Sequence, residues 1–139
     1  MSDSTFVDTN ILLYARDASE PAKQAIASAR LDELWDGGTG RLSVQVLNEY
    51  FVNVTGKLEP GLSPQEAWDD IEALAAWEPL PLDMNILNRA YATQCRYQLS
   101  WWDSLIVAAA EAAGSARILS EDLSDRASYF GITVENPFK

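Results

Sequence analysis

Apolar and polar positions follow two rhythms along this chain. Short β-branched or aromatic runs, Thr5-Phe6-Val7, Arg41-Leu42-Ser43, Arg117-Ile118-Leu119 and Ile132-Thr133-Val134, have the length and composition of strands. Pro79-Leu80-Pro81-Leu82 reads as a further extended segment at a sheet edge, because each proline removes a ladder donor. Between these runs, apolar residues recur at spacings of three and four. Ala22 to Trp35 carries Ile26, Ala29 and Leu34, and Gln45 to Gly56 carries Val46, Leu47, Tyr50, Phe51 and Val54. The helix after Ser63 runs to about Trp77 with Trp68, Ile71, Leu74 and Ala75 inward. Met84 to Tyr97 turns Ile86, Leu87, Ala90 and Tyr91 inward. Leu105 to Gly114 is apolar on nearly every side, which requires burial beside the sheet. A short helical turn is expected at Ala127 to Phe130.

Punctuation agrees with this division. Asp36-Gly37-Gly38-Thr39-Gly40 ends the second helix, Ser63-Pro64-Gln65-Glu66 has a capping-box pattern with proline at the first helical position, and Asp83 caps the following helix. Gly114 stops the apolar one. Strands alternating with helices predict an α/β fold: one domain over residues 1–139, with a mostly parallel sheet covered on both faces and functional groups gathered along one edge.

Composition narrows the chemistry. With 47% hydrophobic residues the chain can build a sizeable core. No apolar stretch is long enough for a membrane span, and Met1-Ser2-Asp3-Ser4 lacks the features of a signal peptide, so a cytoplasmic protein is expected. Cys95 is the single cysteine, which excludes an internal disulfide; it reads as a small filler on its helix. The formal net charge of -11 has the wrong sign for gripping nucleic acid through the overall field, so any such contact must be local, metal-assisted or shared. The absence of histidine removes imidazole bases and Ser-His-Asp triads, leaving carboxylates to carry any hydrolysis.

Four acids stand where an α/β fold collects its chemistry. Asp8 ends the first strand and Asp122 follows the strand at Arg117 to Leu119. Asp103 opens the buried helix, and Glu49 lies at the edge of an apolar helical stripe. Each has a plainer role available: Asp8 or Asn10 as a helix cap, Asp103 as part of a capping box with Ser100, Glu49 as a surface residue. Asp69, Asp70 and Glu72 read as a solvated face, and Arg89 and Arg96 as surface or ion-paired residues. Convergent carboxylates resist joint ionisation, so the set makes sense chiefly around a divalent cation, and all-oxygen ligation favours Mg²⁺ or Mn²⁺.

Val7-Asp8-Thr9-Asn10-Ile11-Leu12-Leu13-Tyr14, Val46-Leu47-Asn48-Glu49, Trp102-Asp103-Ser104-Leu105-Ile106-Val107-Ala108-Ala109-Ala110, Leu119-Ser120-Glu121-Asp122-Leu123 and Asn136-Pro137-Phe138, in this order, resemble the PIN-domain ribonucleases and, within them, the VapC-type toxins of toxin-antitoxin pairs. The resemblance covers nearly the whole chain. It implies a PIN-like three-layer fold with a five-stranded parallel sheet and metal-dependent RNA cleavage. It makes Asp8, Glu49, Asp103 and Asp122 the catalytic, metal-binding set, with Thr9, Asn10 and Ser120 as supporting polar groups and Asp125 as a fifth acid or a turn carboxylate. It also implies a small cognate antitoxin and, together with five tryptophans in a small chain, a homodimer. Two rival readings are a housekeeping PIN nuclease of RNA maturation and a non-catalytic PIN-like module acting through protein contacts.

Overall fold

The structure is a computed structural model and describes residues 3–139; Met1 and Ser2 of the opening segment lie outside the described residues. In chain order the elements are β1 (Thr5–Val7), α1 (Thr9–Arg16), α2 (Pro21–Gly37), β2 (Gly40–Arg41), α3 (Val44–Gly56), α4 (Pro64–Leu74) and a 3₁₀ turn (Ala75–Trp77). They continue with α5 (Met84–Tyr97), α6 (Trp101–Ala112), β3 (Arg117–Leu119), β4 (Ser128–Tyr129) and β5 (Ile132–Glu135). The strands form one five-stranded sheet in the order β2-β1-β3-β5-β4, parallel except for β4. Val7 pairs with Leu119, and Leu119 with Glu135, so the carboxyl ends of β1, β3 and β5 lie level. The predicted α/β plan and strand number hold, as does its mostly parallel sense.

The apolar circumference of α6 has a specific cause. Ile106, Val107, Ala109 and Ala110 join the main core with Phe6, Val7, Ile118 and Leu119, while Leu105 and Ala108 turn the other way onto Ile86 and Ala90 of α5. Packed on two sides, the helix is buried all round from Ser104 to Ala110, and its charged residues Asp103 and Glu111 lie towards its two ends. The capping assignments also hold: Ser63 and Glu66 form a reciprocal capping box, and Asp83 and Ser100 accept from the backbone of Ile86 and Asp103. Gly114, at φ +68°, follows the end of α6.

Several expectations are corrected. Ala127 to Phe130 is not helical. β4 and β5 form a hairpin in which Tyr129 pairs with Ile132, and the two turn residues, Phe130 and Gly131, both have positive φ, the backbone of a type I′ turn. Leu80 makes only an isolated bridge to Ser43, since the flanking prolines have no donors to extend a ladder. The strand expected at Arg41-Leu42-Ser43 is shifted to Gly40–Arg41. There the chain passes directly under Trp77, and a Cβ on Gly40 would lie 2.3 Å from that ring.

The inward faces of α2 and α4 are only partly as expected. Leu34 is buried in α2 as expected, but Ala27 is buried while Ile26 and Ala29 are exposed; in α4, Ile71 and Leu74 pack on the core as expected, with Ala67 buried and Trp68 and Ala75 exposed. Tyr91 and Cys95 of α5 are exposed, Thr93 being buried instead, so Cys95 is not a core filler. Among the described residues no helix is long and apolar enough to cross a membrane.

Candidate functional site

The carboxyl edge of the sheet gathers the predicted acids from both ends of the chain. Asp8 leaves β1 in an extended conformation and caps α1, its Oδ1 accepting from the Thr9 amide at 2.7 Å. Its Oδ2 accepts from the Ser120 hydroxyl at 2.8 Å and the Asn10 amide at 3.3 Å. The same Asn10 Nδ2 donates to Asp122 Oδ2 at 3.2 Å, while Asn10 Oδ1 accepts from the Glu121 amide at 3.0 Å. Asn10 therefore ties the turn after β1 to the turn after β3. Ser120 Oγ also accepts from the amides of Asp122 and Leu123, which fixes the second turn. Capping and site-building are thus compatible for Asp8: one oxygen serves the helix, and the other faces the second turn.

Glu49 enters from α3. Thr9 Oγ1 donates to its Oε2 and Gln45 Nε2 to its Oε1, each at 3.0 Å. Thr9 and Asn10 are adjacent, so α1 holds Glu49 with one residue and Asp8 and Asp122 with the next. Asp103 sits in the first turn of α6, where Ser100 bonds to it, and interacts through space with Asp122 and Glu49. Asp125 is spoken for: its Oδ1 accepts from the Asn136 amide at 2.9 Å, the turn role.

Electrostatics sets these acids apart. Burial pushes the Asp8 carboxyl up to about 6 against the opposing bonds from Ser120 and Thr9, and the charges of Asp122 and Glu49 add to the rise. Asp103 is raised by burial too, opposed by Ser100 and reinforced by Asp122 and Glu49. Glu121, one residue from Asp122, behaves in the opposite way. Burial works against its ionisation, yet Lys23 at 2.5 Å and the Tyr14 hydroxyl at 2.7 Å outweigh it and hold its carboxyl low.

Gln45, Lys23 and Tyr14 were not singled out from the sequence as groups around the site. Gln45, buried and one helical turn before Glu49, carried a signal; Lys23 and Glu121, 98 positions apart, carried none.

Among the described residues, no three acidic or cysteine side chains are drawn close enough to hold an ion by themselves. The donor chemistry still suits a hard cation: the groups are all oxygens, and Mg²⁺ keeps several waters and takes only one or two carboxylates directly. A buried Asp8 with like charges beside it and no basic partner is what such an ion would relieve.

The family model of the PIN domain matches residues 5–124, most of the chain. The chain belongs to the PIN-domain family. Solved PIN-like structures carry the same fold over almost their whole length. A toxin-antitoxin complex from Klebsiella pneumoniae superposes with a TM-score of 0.68 at 20% identity, covering 96% of this chain and 98% of that one. VapBC2 from Rickettsia felis, bound to a DNA fragment from its promoter, gives 0.67 at 19% identity over 95% and 97%. VapC20 of Mycobacterium tuberculosis, a toxin that cleaves the sarcin-ricin loop, gives 0.65 at 19% over 94% and 99%. At these identities the likeness is one of fold. No curated protein matches the chain.

Proposed function

We propose that this PIN-domain protein is a metal-dependent ribonuclease of the VapC type, a cytoplasmic toxin inhibited by a small cognate antitoxin. The observation that carries the reading is the linked acid set at the carboxyl edge: Asp8 and Asp122 joined through Asn10, Glu49 joined to the same helix through Thr9, and Asp103 within electrostatic reach of Asp122 and Glu49. The toxin-antitoxin complexes among its structural neighbours support the partner.

Asp8, Glu49, Asp103 and Asp122 would hold Mg²⁺, with Mn²⁺ as an alternative. The bound ion supplies a more acidic water, alignment of the scissile phosphate and neutralisation of developing charge. The chain's own part is orientation. Ser120 and Asn10 fix the Asp8 carboxylate, Asn10 fixes Asp122, and Gln45 and Thr9 occupy both oxygens of Glu49 from the protein side. Asp103 is half-buried, and its carboxyl is raised first by that burial and then by Asp122 and Glu49. Purified protein should cleave RNA in Mg²⁺ or Mn²⁺ and stop in excess EDTA; undiminished cleavage in EDTA, with contaminating nucleases excluded, would overturn the reading.

A homodimer belongs to the same proposal. Leu82, Met84, Tyr91 and Trp102 are exposed apolar side chains of the kind that association covers. Mass measurement in solution should return twice the chain mass, and a monomer across a wide concentration range would contradict it.

A further inference from the structure

We infer that the hollow beside β5, lined by Arg117, Arg126 and Lys139, is a track for the phosphate backbone of single-stranded RNA on its way to the acids; this rests on the ribonuclease reading. A chain of net charge -11 repels RNA as a whole, so it needs a place where cations are local and unspent. Of the chain's ten basic residues, Arg16, Lys23, Arg30 and Arg89 are paired with carboxylates. Arg41 is turned onto the carbonyls of Gly38 and Gly40, Arg96 lies over the rings of Tyr97 and Phe130, and Lys57 stands apart at the end of α3.

The remaining three open on one hollow of about 330 Å³. Among the described residues, the exposed side chains of Arg126 and Lys139 have no ion-pair or hydrogen-bond partner, and Arg117 reaches only Thr5 Oγ1, at 3.4 Å. The two acids of the hollow are already engaged, Asp125 by the Asn136 amide and Glu135 by the Arg30 guanidinium.

Position distinguishes a track from a point-anion site. Arg117 lies beside Thr133 at the start of the strand pair, and Lys139 lies beyond the end of β5, so the cations are strung along the strand direction. That spread suits a linear polyanion. The hollow also ends at the acid edge: the Ser120 amide donates to the Glu135 carbonyl at 3.0 Å, and Asp125 lies in the turn that carries Asp122. Phosphate contacts of this kind position a strand without reading its bases.

The test measures anisotropy of a fluorescent single-stranded RNA with the full chain in EDTA at several salt concentrations, then KM and kcat for RNA cleavage in Mg²⁺. The triple change Arg117→Gln, Arg126→Asn and Lys139→Gln should weaken binding at least about tenfold near 0.1 M salt and flatten the log-log salt slope by about 2, at about 0.7 per phosphate contact on a single strand. KM should rise with kcat retained, and Lys57→Gln should change neither binding nor KM. Arg126→Asn with Lys139→Gln leaves β3 intact and guards against a folding defect; asparagine tolerates the φ of +67° at position 126. Unchanged RNA affinity and slope in these variants, an equal loss in Lys57→Gln, a hollow that takes only an acidic peptide, or a parent that does not bind RNA would each overturn the inference. RNA binding that depends on the hollow without any cleavage would sink the ribonuclease reading and leave the track standing. Cleavage with unchanged KM would do the reverse.

Discussion

Asp8 and Asp70 are both largely withdrawn from water, and the protein treats them in opposite ways. Asp70, on α4, is gripped by the Arg16 guanidinium at 2.5 and 3.0 Å and by the Tyr50 hydroxyl, tying α4 to α1 and α3. Tyr50 is raised by its burial first and by Asp70 second, so it stays a donor. Among the described residues Asp8 meets no cation, only neutral donors and two like charges. A carboxylate held for structure is given its counter-charge by the chain; one left buried without it is a functional candidate. Lys23 with Glu121 shows that the fold can deliver a lysine to within one residue of Asp122.

The comparison breaks most visibly in activity. Asp8→Asn keeps the shape and removes the charge, and should cut RNA cleavage by about 10²- to 10³-fold, the equivalent of several kcal/mol of transition-state stabilisation. Asp70→Asn should stay within a few-fold of the parent. Equal losses in a single-turnover assay would erase the distinction.

Stability against pH is the next largest effect. The Asp8 carboxyl is raised from 3.8 to about 6, so its contribution is fully present below 3.8 and is lost as pH rises through about 6, opposite to a salt-bridged aspartate. At about 1.4 kcal/mol per pH unit, that loss is on the order of 3 kcal/mol at most. Between pH 4 and pH 7 in EDTA, urea midpoints should therefore shift in favour of Asp8→Asn relative to the parent, and a constant difference would count against the assignment. At neutral pH the variant should be as stable as the parent or slightly more so, because lost bonds from Thr9 and Ser120 offset part of the relief.

Asp70→Asn should instead destabilise by about 1 to 2 kcal/mol at neutral pH, as expected for charge-assisted bonds discounted for a half-exposed arginine. The smallest effect is expected at Thr9→Val, which releases one oxygen of Glu49: cleavage should fall by roughly three- to tenfold, about 1 kcal/mol for one hydrogen bond. No change in kcat would remove Thr9 from the site.

Much of this arrangement was legible in the chain because it is local. The run ending at Asp8, the box at Ser63, the cap at Ser100 and the uniformly apolar α6 each have a short-range cause. What escaped depends on distant partners. Asp70 reads as solvated until Arg16 and Tyr50 arrive from other helices, Ala27 is buried in place of Ile26 and Ala29 beside the expected Leu34, and the Phe130-Gly131 turn depends on two positive φ values. At the edge itself, order and spacing identified the acids as candidates, but not the crossing of Asn10 between Asp8 and Asp122, which exists only once β1 and β3 are neighbours.

Metal linkage bears most directly on the central claim that the edge acids lack a counter-charge because a divalent cation supplies it. Urea unfolding of the parent and Asp8→Asn, each in EDTA and in excess Mg²⁺, reads it in one experiment. Mg²⁺ at about one hundred times its dissociation constant should stabilise the parent by about 2.7 kcal/mol and the variant much less. Equal midpoints with and without Mg²⁺ in the parent, or equal gains in both proteins, together with a less stable Asp8→Asn in EDTA, would reduce Asp8 to the cap of α1.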